Sequence, residues 1–407
     1  MRREKDNTFL FFLLNPFLGF LHAFKYNHER WSVNAVWLFV IFYGFTMAKP
    51  EGMDSSRYVQ RLKNNYYSSS WESFASGFYS AEGAQVDLYE PTMIFLMSRF
   101  TENGDLLFAA FGVVFGFFYS RNLWMVLRFV PGYMTSFLWI IYLSFAFIVP
   151  FWDLNGVRMW TAAHVFTFGV LNYILYQKRS AYIFILISVL IHFSFVGPVV
   201  LFFCFRFLRL GWPLLYYAYI FSFAISELNI GSLRNVLMAY SPEFLIPRVQ
   251  SYTGEVYIDK VNETMQGASF HIIYYRKVIV WTVVVFFSFI FFRRVKNLVT
   301  YPYLKDLFAI SLIILTFGNI ASLVPSGGRF LSIGQIFAFA FMFLYLKTAD
   351  PDKFRYWFRY ASYPMLFLFL IVSLRISLET ITVMSVLGNP IFALLIDVHI
   401  SIISLFN

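Results

Sequence analysis

Long apolar runs separated by short polar turns dominate the chain, with no strand-like alternation between the turns. Runs near 8–24, 32–48, 104–120, 133–151, 156–176, 181–205, 212–226, 274–292, 305–324, 330–346, 361–378 and 391–406 approach the roughly 20 residues a helix needs to cross a bilayer. The pattern predicts an all-α integral membrane protein, a polytopic bundle of about 12 transmembrane helices forming a single domain over residues 1–407. Two runs are interrupted. The first carries Asn15-Pro16; it starts like a signal peptide but lacks a small-residue cleavage site, so it is expected to be retained. The 181–205 run holds His192 and the pair Gly197-Pro198, which predicts a broken or re-entrant segment turning near His192.

Composition then excludes water as the main solvent. Only 13% of residues are charged and 59% are hydrophobic, against roughly 25% charged in a soluble domain. A formal charge of +10 raises nucleic acid as a partner, but the basic residues sit in short clusters between apolar runs rather than along one face. That distribution follows the positive-inside rule and predicts no nucleic-acid partner. Lys25 with Arg30, Arg121 with Arg128, Lys178-Arg179, Arg206 with Arg209, Arg293-Arg294-Lys296 and the run from Lys347 to Arg359 mark the cytoplasmic side. The long connections near 49–103 and 227–273, and the turns at 152–156 and 324–329, then fall on the opposite side. Placing all the basic clusters together requires the 181–205 run to return to the side it came from.

Ionisable groups at span ends or within spans are expensive, so each is a functional candidate. Arg158 opens a span after a polar turn, and its guanidinium suits a diphosphate through paired hydrogen bonds; an interfacial, snorkelling arginine is the plainer alternative. His192 lies in an apolar run and can act as a base or as a phosphate ligand, or be a hydrogen-bonded core residue. Arg329 follows Gly327-Gly328, a pair that permits close approach of backbone to a ligand. Asp54 and Tyr58 share a helical face at i,i+4, a spacing suited to gripping a sugar, and Glu90 stands before Pro91 at a helix start. A lone Cys204 excludes an intramolecular disulfide, and no P-loop, HExxH, Cys/His metal spacing or GxSxG elbow occurs.

In order, Asp54 with Tyr58, Glu90-Pro91, GVRMWTAA around Arg158, IHFS around His192 and GGRF around Arg329 resemble the EpsG family, relatives of the Wzy-type polymerases of O-antigen, capsule and exopolysaccharide. The resemblance implies a fold similar to the GT-C-type membrane glycosyltransferases. It implies a metal-independent enzyme without cofactor, which transfers a growing glycan from undecaprenyl diphosphate to the non-reducing end of another lipid-linked repeat unit. Arg158 and Arg329 would hold the diphosphate, His192 would be the base or a third diphosphate ligand, and Asp54, Tyr58 and Glu90 would orient sugars. It further implies a bacterial inner-membrane location with the site facing the periplasm or cell exterior, and a chain-length regulator and flippase as pathway partners. A membrane O-acyltransferase acting on polysaccharide and a lipid-linked oligosaccharide flippase are the competing readings.

Overall fold

In the computed structural model, residues 2–78, 85–208, 210–225, 239, 270–293, 295–324, 326–349, 353–396 and 399–406 are described. Most of the expected 227–273 connection lies outside them, as do Arg209 and Arg294. The described elements are helices: α1 (Arg2–Leu14), α2 (Pro16–Lys25), α3 (Ser32–Thr46), α4 (Asp54–Asn65), α5 (Trp71–Ser76), α6 (Tyr89–Met97), α7 (Gly104–Phe129), α8 (Ser136–Ile148), α9 (Val157–Tyr176), α10 (Ala181–Ile191), α11 (Val196–Leu208) and α12 (Trp212–Ile225). After the undescribed stretch come α13 (Phe270–Arg293), α14 (Val295–Thr300), α15 (Pro302–Ala321), α16 (Arg329–Thr348), α17 (Lys353–Ser377), α18 (Val383–Leu387) and α19 (Pro390–Leu395).

Six segments among the described residues are long and apolar enough to cross a membrane: Gly104–Phe129, the stretch Ser136–Tyr176, Tyr274–Arg293, Pro302–Ala321, Arg329–Thr348 and Lys353–Ser377. This is a multi-pass helical membrane protein with fewer full-length spans than the twelve apolar runs suggest. The difference is local. At Asn15 the chain is extended and its side chain caps α2, with Pro16 at the first turn, so α1 and α2 fold back on each other through Thr8 and His22. The 133–151 and 156–176 runs join into one apolar stretch through the 3-10 turn Phe151–Gly156. The 391–406 run breaks up and lies as a strap, bridging Ser401 to Thr382. The α3 helix, at 15 residues, falls short of a full crossing.

Small residues set the closest packing. Gly112 and Gly116 of α7 meet Val40 and Ile41 of α3, while Gly44 of α3 meets Phe108 of α7. In the α15–α16 hairpin, Gly318 faces Leu331 and Gly334 faces Leu315. Every position of α16 from Ser332 to Leu346 is buried, which explains a middle stretch that is apolar nearly all round. The outer helices α13 and α17 instead expose Trp281, Val285, Phe367, Leu368 and Ile371, a belt that only lipid solvates favourably.

The broken segment forms a hairpin. His192 is extended between α10 and the short 3-10 turn Phe193–Phe195, and Tyr182 lies beside Phe202 and Phe203 on the returning arm. Arms of 11 and 13 residues extend only about 16–20 Å, short of ~30 Å of hydrocarbon. The α9 and α16 helices run side by side in the same direction, Phe166 beside Phe337, so Arg158 and Arg329 open their helices at one end of the bundle. Arg128 reaches His28, Arg121 reaches Asn34, and Lys178 and Arg206 lie against Tyr176 and Tyr173 at the other end. These four basic residues and the candidate site therefore occupy opposite ends.

The strap is fastened at the site's end. Asp105 receives Lys49 Nζ at 2.6 Å and His399 Nε2 at 3.0 Å. The hydrogen bond to Asp105 pushes the His399 imidazole above its ordinary value, with burial and Lys49 opposing. A raised folded-state value means that this contribution is complete at low pH and fades as pH climbs through that value. The gap in thermal unfolding temperature between the native chain and His399→Gln is expected to be widest below about pH 6 and to narrow above about pH 7. An equal gap at both extremes would show that His399 contributes by shape alone.

Candidate functional site

The site is built around a carboxylate that the motif reading passed over. Asp87 lies just before α6 and is 2% exposed. Its Oδ2 accepts from Arg158 Nη1 at 2.9 Å and pairs with His192 Nδ1 at 3.0 Å; its Oδ1 accepts from the Phe193 backbone N–H at 2.8 Å. The Leu88 amide donates to Leu190 O at 2.9 Å, stitching this segment to the hairpin tip. Extended backbone at His192 frees the Phe193 amide from helical bonding and aims it at the carboxylate. The break in the hairpin is thus what presents both a ring nitrogen and a backbone donor to Asp87.

Burial pushes the Asp87 carboxyl up, but the His192 hydrogen bond, the Phe193 amide and Arg158 together hold it well below the usual carboxylate range. An ionised carboxylate can only accept, so His192 Nδ1 is the donor. In the neutral ring Nε2 is then left with its lone pair, and it has no partner among the described residues. The His192 side chain is 17% exposed and that of Arg158 29% exposed, so both remain reachable.

The other expected residues divide. Tyr58 is buried against Arg158, and burial pushes its phenol up to about 12 against the pull of that cation. Asp54 and Tyr58 do share helix α4, but Asp54 is half-buried and pairs with Arg57 at 3.4 Å. Glu90 is 1% exposed, and Arg61 Nη1 donates to both its oxygens at 3.0 and 3.2 Å. Burial pushes its carboxyl up while Arg61 and Arg158 pull it down. In this arrangement Glu90 holds α6 against α4 beneath Arg158.

Arg329 stands apart from Asp87. Its side chain is exposed and makes no hydrogen bond or ion pair among the described residues. Its neighbour Phe330 touches Phe195, which touches His192, so one aromatic wall connects the two places. Arg329 and Arg276 both lie within electrostatic reach of Asp153 in the 3-10 turn that precedes α9. Arg276 Nη1 donates to Ser332 Oγ at 3.3 Å, and its Nε to the Tyr275 hydroxyl at 2.8 Å. The Gly327 of the preceding turn makes its close approach to the Ala321 carbonyl rather than to open space, so its role is in closing the turn.

Asp87, Asp153 and Arg276 are the residues that motif reading missed. The available signal was electrostatic: two basic groups in apolar surroundings require a counter-ion, and QVDLYEP supplies the nearest acid to Glu90. Among the described residues no group of three His, Cys, Asp or Glu side chains is placed to hold a metal ion. Compared with models of known families, with characterised proteins and with solved structures, the chain matches none.

Proposed function

We propose that this protein polymerises a bacterial surface polysaccharide, moving a growing glycan from undecaprenyl diphosphate to the non-reducing end of a second lipid-linked repeat unit. The observation that carries the reading is the Asp87–His192 pair beside Arg158: an imidazole fixed by a buried carboxylate, with its second nitrogen turned out of the pair. In this reading His192 Nε2 takes the proton of the attacking acceptor hydroxyl while that oxygen bonds to the anomeric carbon. The bond from that carbon to the diphosphate oxygen breaks, and the charge developing on the diphosphate is met by Arg329 and by the Arg158 nitrogens not committed to Asp87. Asp87 offsets much of the Arg158 charge, so Arg329 carries more of the anion binding. The end of the bundle holding these groups faces the periplasm or cell exterior of a cytoplasmic membrane, consistent with the basic clusters at the other end.

The Asp–His pair would equally activate a sugar hydroxyl for acyl transfer, so the test separates the two chemistries. Purified protein in phospholipid nanodiscs with an undecaprenyl-diphosphate repeat unit is expected to yield a ladder of longer lipid-linked products. His192→Ala and Arg329→Ala should each lower the rate by roughly 10²–10³-fold, and Arg158→Ala by a similar factor. With an acyl thioester added as donor, acylated sugar and released thiol with no ladder would establish the acyltransferase, and transport without lengthening the flippase.

A further inference from the structure

Asp153 opens onto a cavity of ≈ 40 Å³ between the 3-10 turn and helices α13, α16 and α17. That volume admits about two or three water-sized groups. Its polar lining comes from Asp153, Tyr275, Arg276, Gln335 and Ser373. The Asp153 Oδ2 is buried and has no hydrogen-bond partner among the described residues. Gln335 and Ser373 are each 6% exposed, and neither side chain has a hydrogen bond among the described residues. A buried carboxylate oxygen without a partner, sharing one small space inside an apolar bundle with the Gln335 and Ser373 side chains, is unfavourable unless something in that space bonds to it.

The chemistry of the lining selects what that is. An anion would meet Asp153, and a cation would meet Arg276. A hydroxyl group donates to Asp153 and accepts from Gln335, Ser373 or Arg276, so it satisfies both halves of the set. Trp152, Tyr275 and Phe369 supply the apolar walls that the C–H faces of a sugar favour. The volume is too small for a whole pyranose ring but fits an exocyclic hydroxymethyl or one ring hydroxyl with its carbon. We propose that this cavity is a sugar subsite, distinct from the Asp87–Arg158–His192 centre, which takes a hydroxyl-bearing arm of the glycan while the ring lies at the mouth beside Arg276. It sits on the same 3-10 turn that leads into Arg158, so a sugar held in it is positioned relative to the reacting centre by five residues of rigid backbone. The identity of the ligand as a glycan rests on the polymerase reading; the existence of a hydroxyl site rests on the cavity alone.

The test measures binding without turnover. Full-length protein in phospholipid nanodiscs is mixed in turn with glucose, galactose, N-acetylglucosamine and N-acetylgalactosamine, and magnetisation transfer from protein to sugar protons is read by NMR. At least one sugar is expected to give a signal, strongest on the protons of the inserted arm and unaffected by inorganic pyrophosphate. Asp153→Asn and Gln335→Leu should reduce it several-fold, while His192→Ala retains it. Ser373→Ala, which removes one hydroxyl with little change of shape, should weaken it too and keeps the test available if the other variants fail to fold. No signal from any of the four sugars, a signal indifferent to all three cavity variants, or displacement by pyrophosphate would each overturn the subsite. A cavity-dependent signal in a protein that never lengthens lipid-linked substrate would instead sink the polymerase reading and leave the subsite standing.

Discussion

Asp87→Asn is expected to slow glycan lengthening by roughly 10²–10⁴-fold while the protein remains folded. Among the described residues, the Arg158 guanidinium, the His192 ring and the Phe193 amide converge on the Asp87 carboxylate. An asparagine keeps the shape but offers only one accepting oxygen. If that oxygen stays with Phe193, the new NH2 faces Arg158 and His192, and the ring must accept at Nδ1 and carry its proton on Nε2. The nitrogen that serves as base in the proposed mechanism then has no lone pair. If the amide turns the other way, the NH2 opposes the Phe193 N–H and strains the hairpin tip. In both cases Arg158 also loses its full counter-charge. Because Asp87 acts largely through His192, adding Asp87→Asn to His192→Ala should slow the reaction far less than it slows the native protein. Near-native lengthening by Asp87→Asn would remove the base role from His192 and return it to the set of diphosphate ligands.

Gly327→Ala is expected to lower thermal stability sharply and to abolish lengthening with it. A Cβ at this position would overlap the Ala321 carbonyl oxygen, and would stand 2.6 Å from the carbonyl carbon and 3.0 Å from the Val324 oxygen. These are backbone atoms, so no side-chain rotation relieves the clash and the turn between α15 and α16 must open. Overpacking of this kind costs about 1–3 kcal/mol or more. The turn cannot absorb much, since Ser326 already sits at φ 68, in the left-handed region. Arg329 begins its helix two residues later and would move with the turn. Gly328→Ala is the control: its nearest neighbour, Ser322 Cβ, is 3.9 Å away, so stability and activity should hardly change. Both variants can be heated in detergent and followed by size-exclusion chromatography. If Gly327→Ala unfolds at the same temperature as the native chain, the Ala321 carbonyl does not close over residue 327.

The segments that were legible in the sequence share a cause. Helical spans, the break at His192 and the placement of basic clusters follow from residues near one another in the chain, because hydropathy over about 20 residues and the helix-disturbing effect of Pro and Gly are local properties. The count of crossings was less legible for the same reason. An apolar run reports that a segment is buried in lipid or protein, not whether it continues as one helix. Asn15-Pro16 and the Phe151–Gly156 turn decide that by where their hydrogen bonds close.

The site divides along the same line. From sequence alone Arg158 and His192 stand out, since a charge or imidazole in apolar surroundings is expensive and demands a purpose. Which acid meets them does not. Asp87 lies 71 residues from Arg158 and 105 from His192, and only the packing of the hairpin tip on the segment before α6 makes the three adjacent. Tertiary structure likewise turned Glu90 inward onto Arg61, brought Arg329 within electrostatic reach of Asp153, and gave Gly327 a carbonyl to fit under. The sequence determined the solvent, the helical class and the residues whose burial must be compensated, because these are fixed by composition and short-range periodicity. The partners that compensate them were decided only when helices distant in the chain packed together, because an ion pair depends on the direction of side chains across an interface that no local pattern encodes.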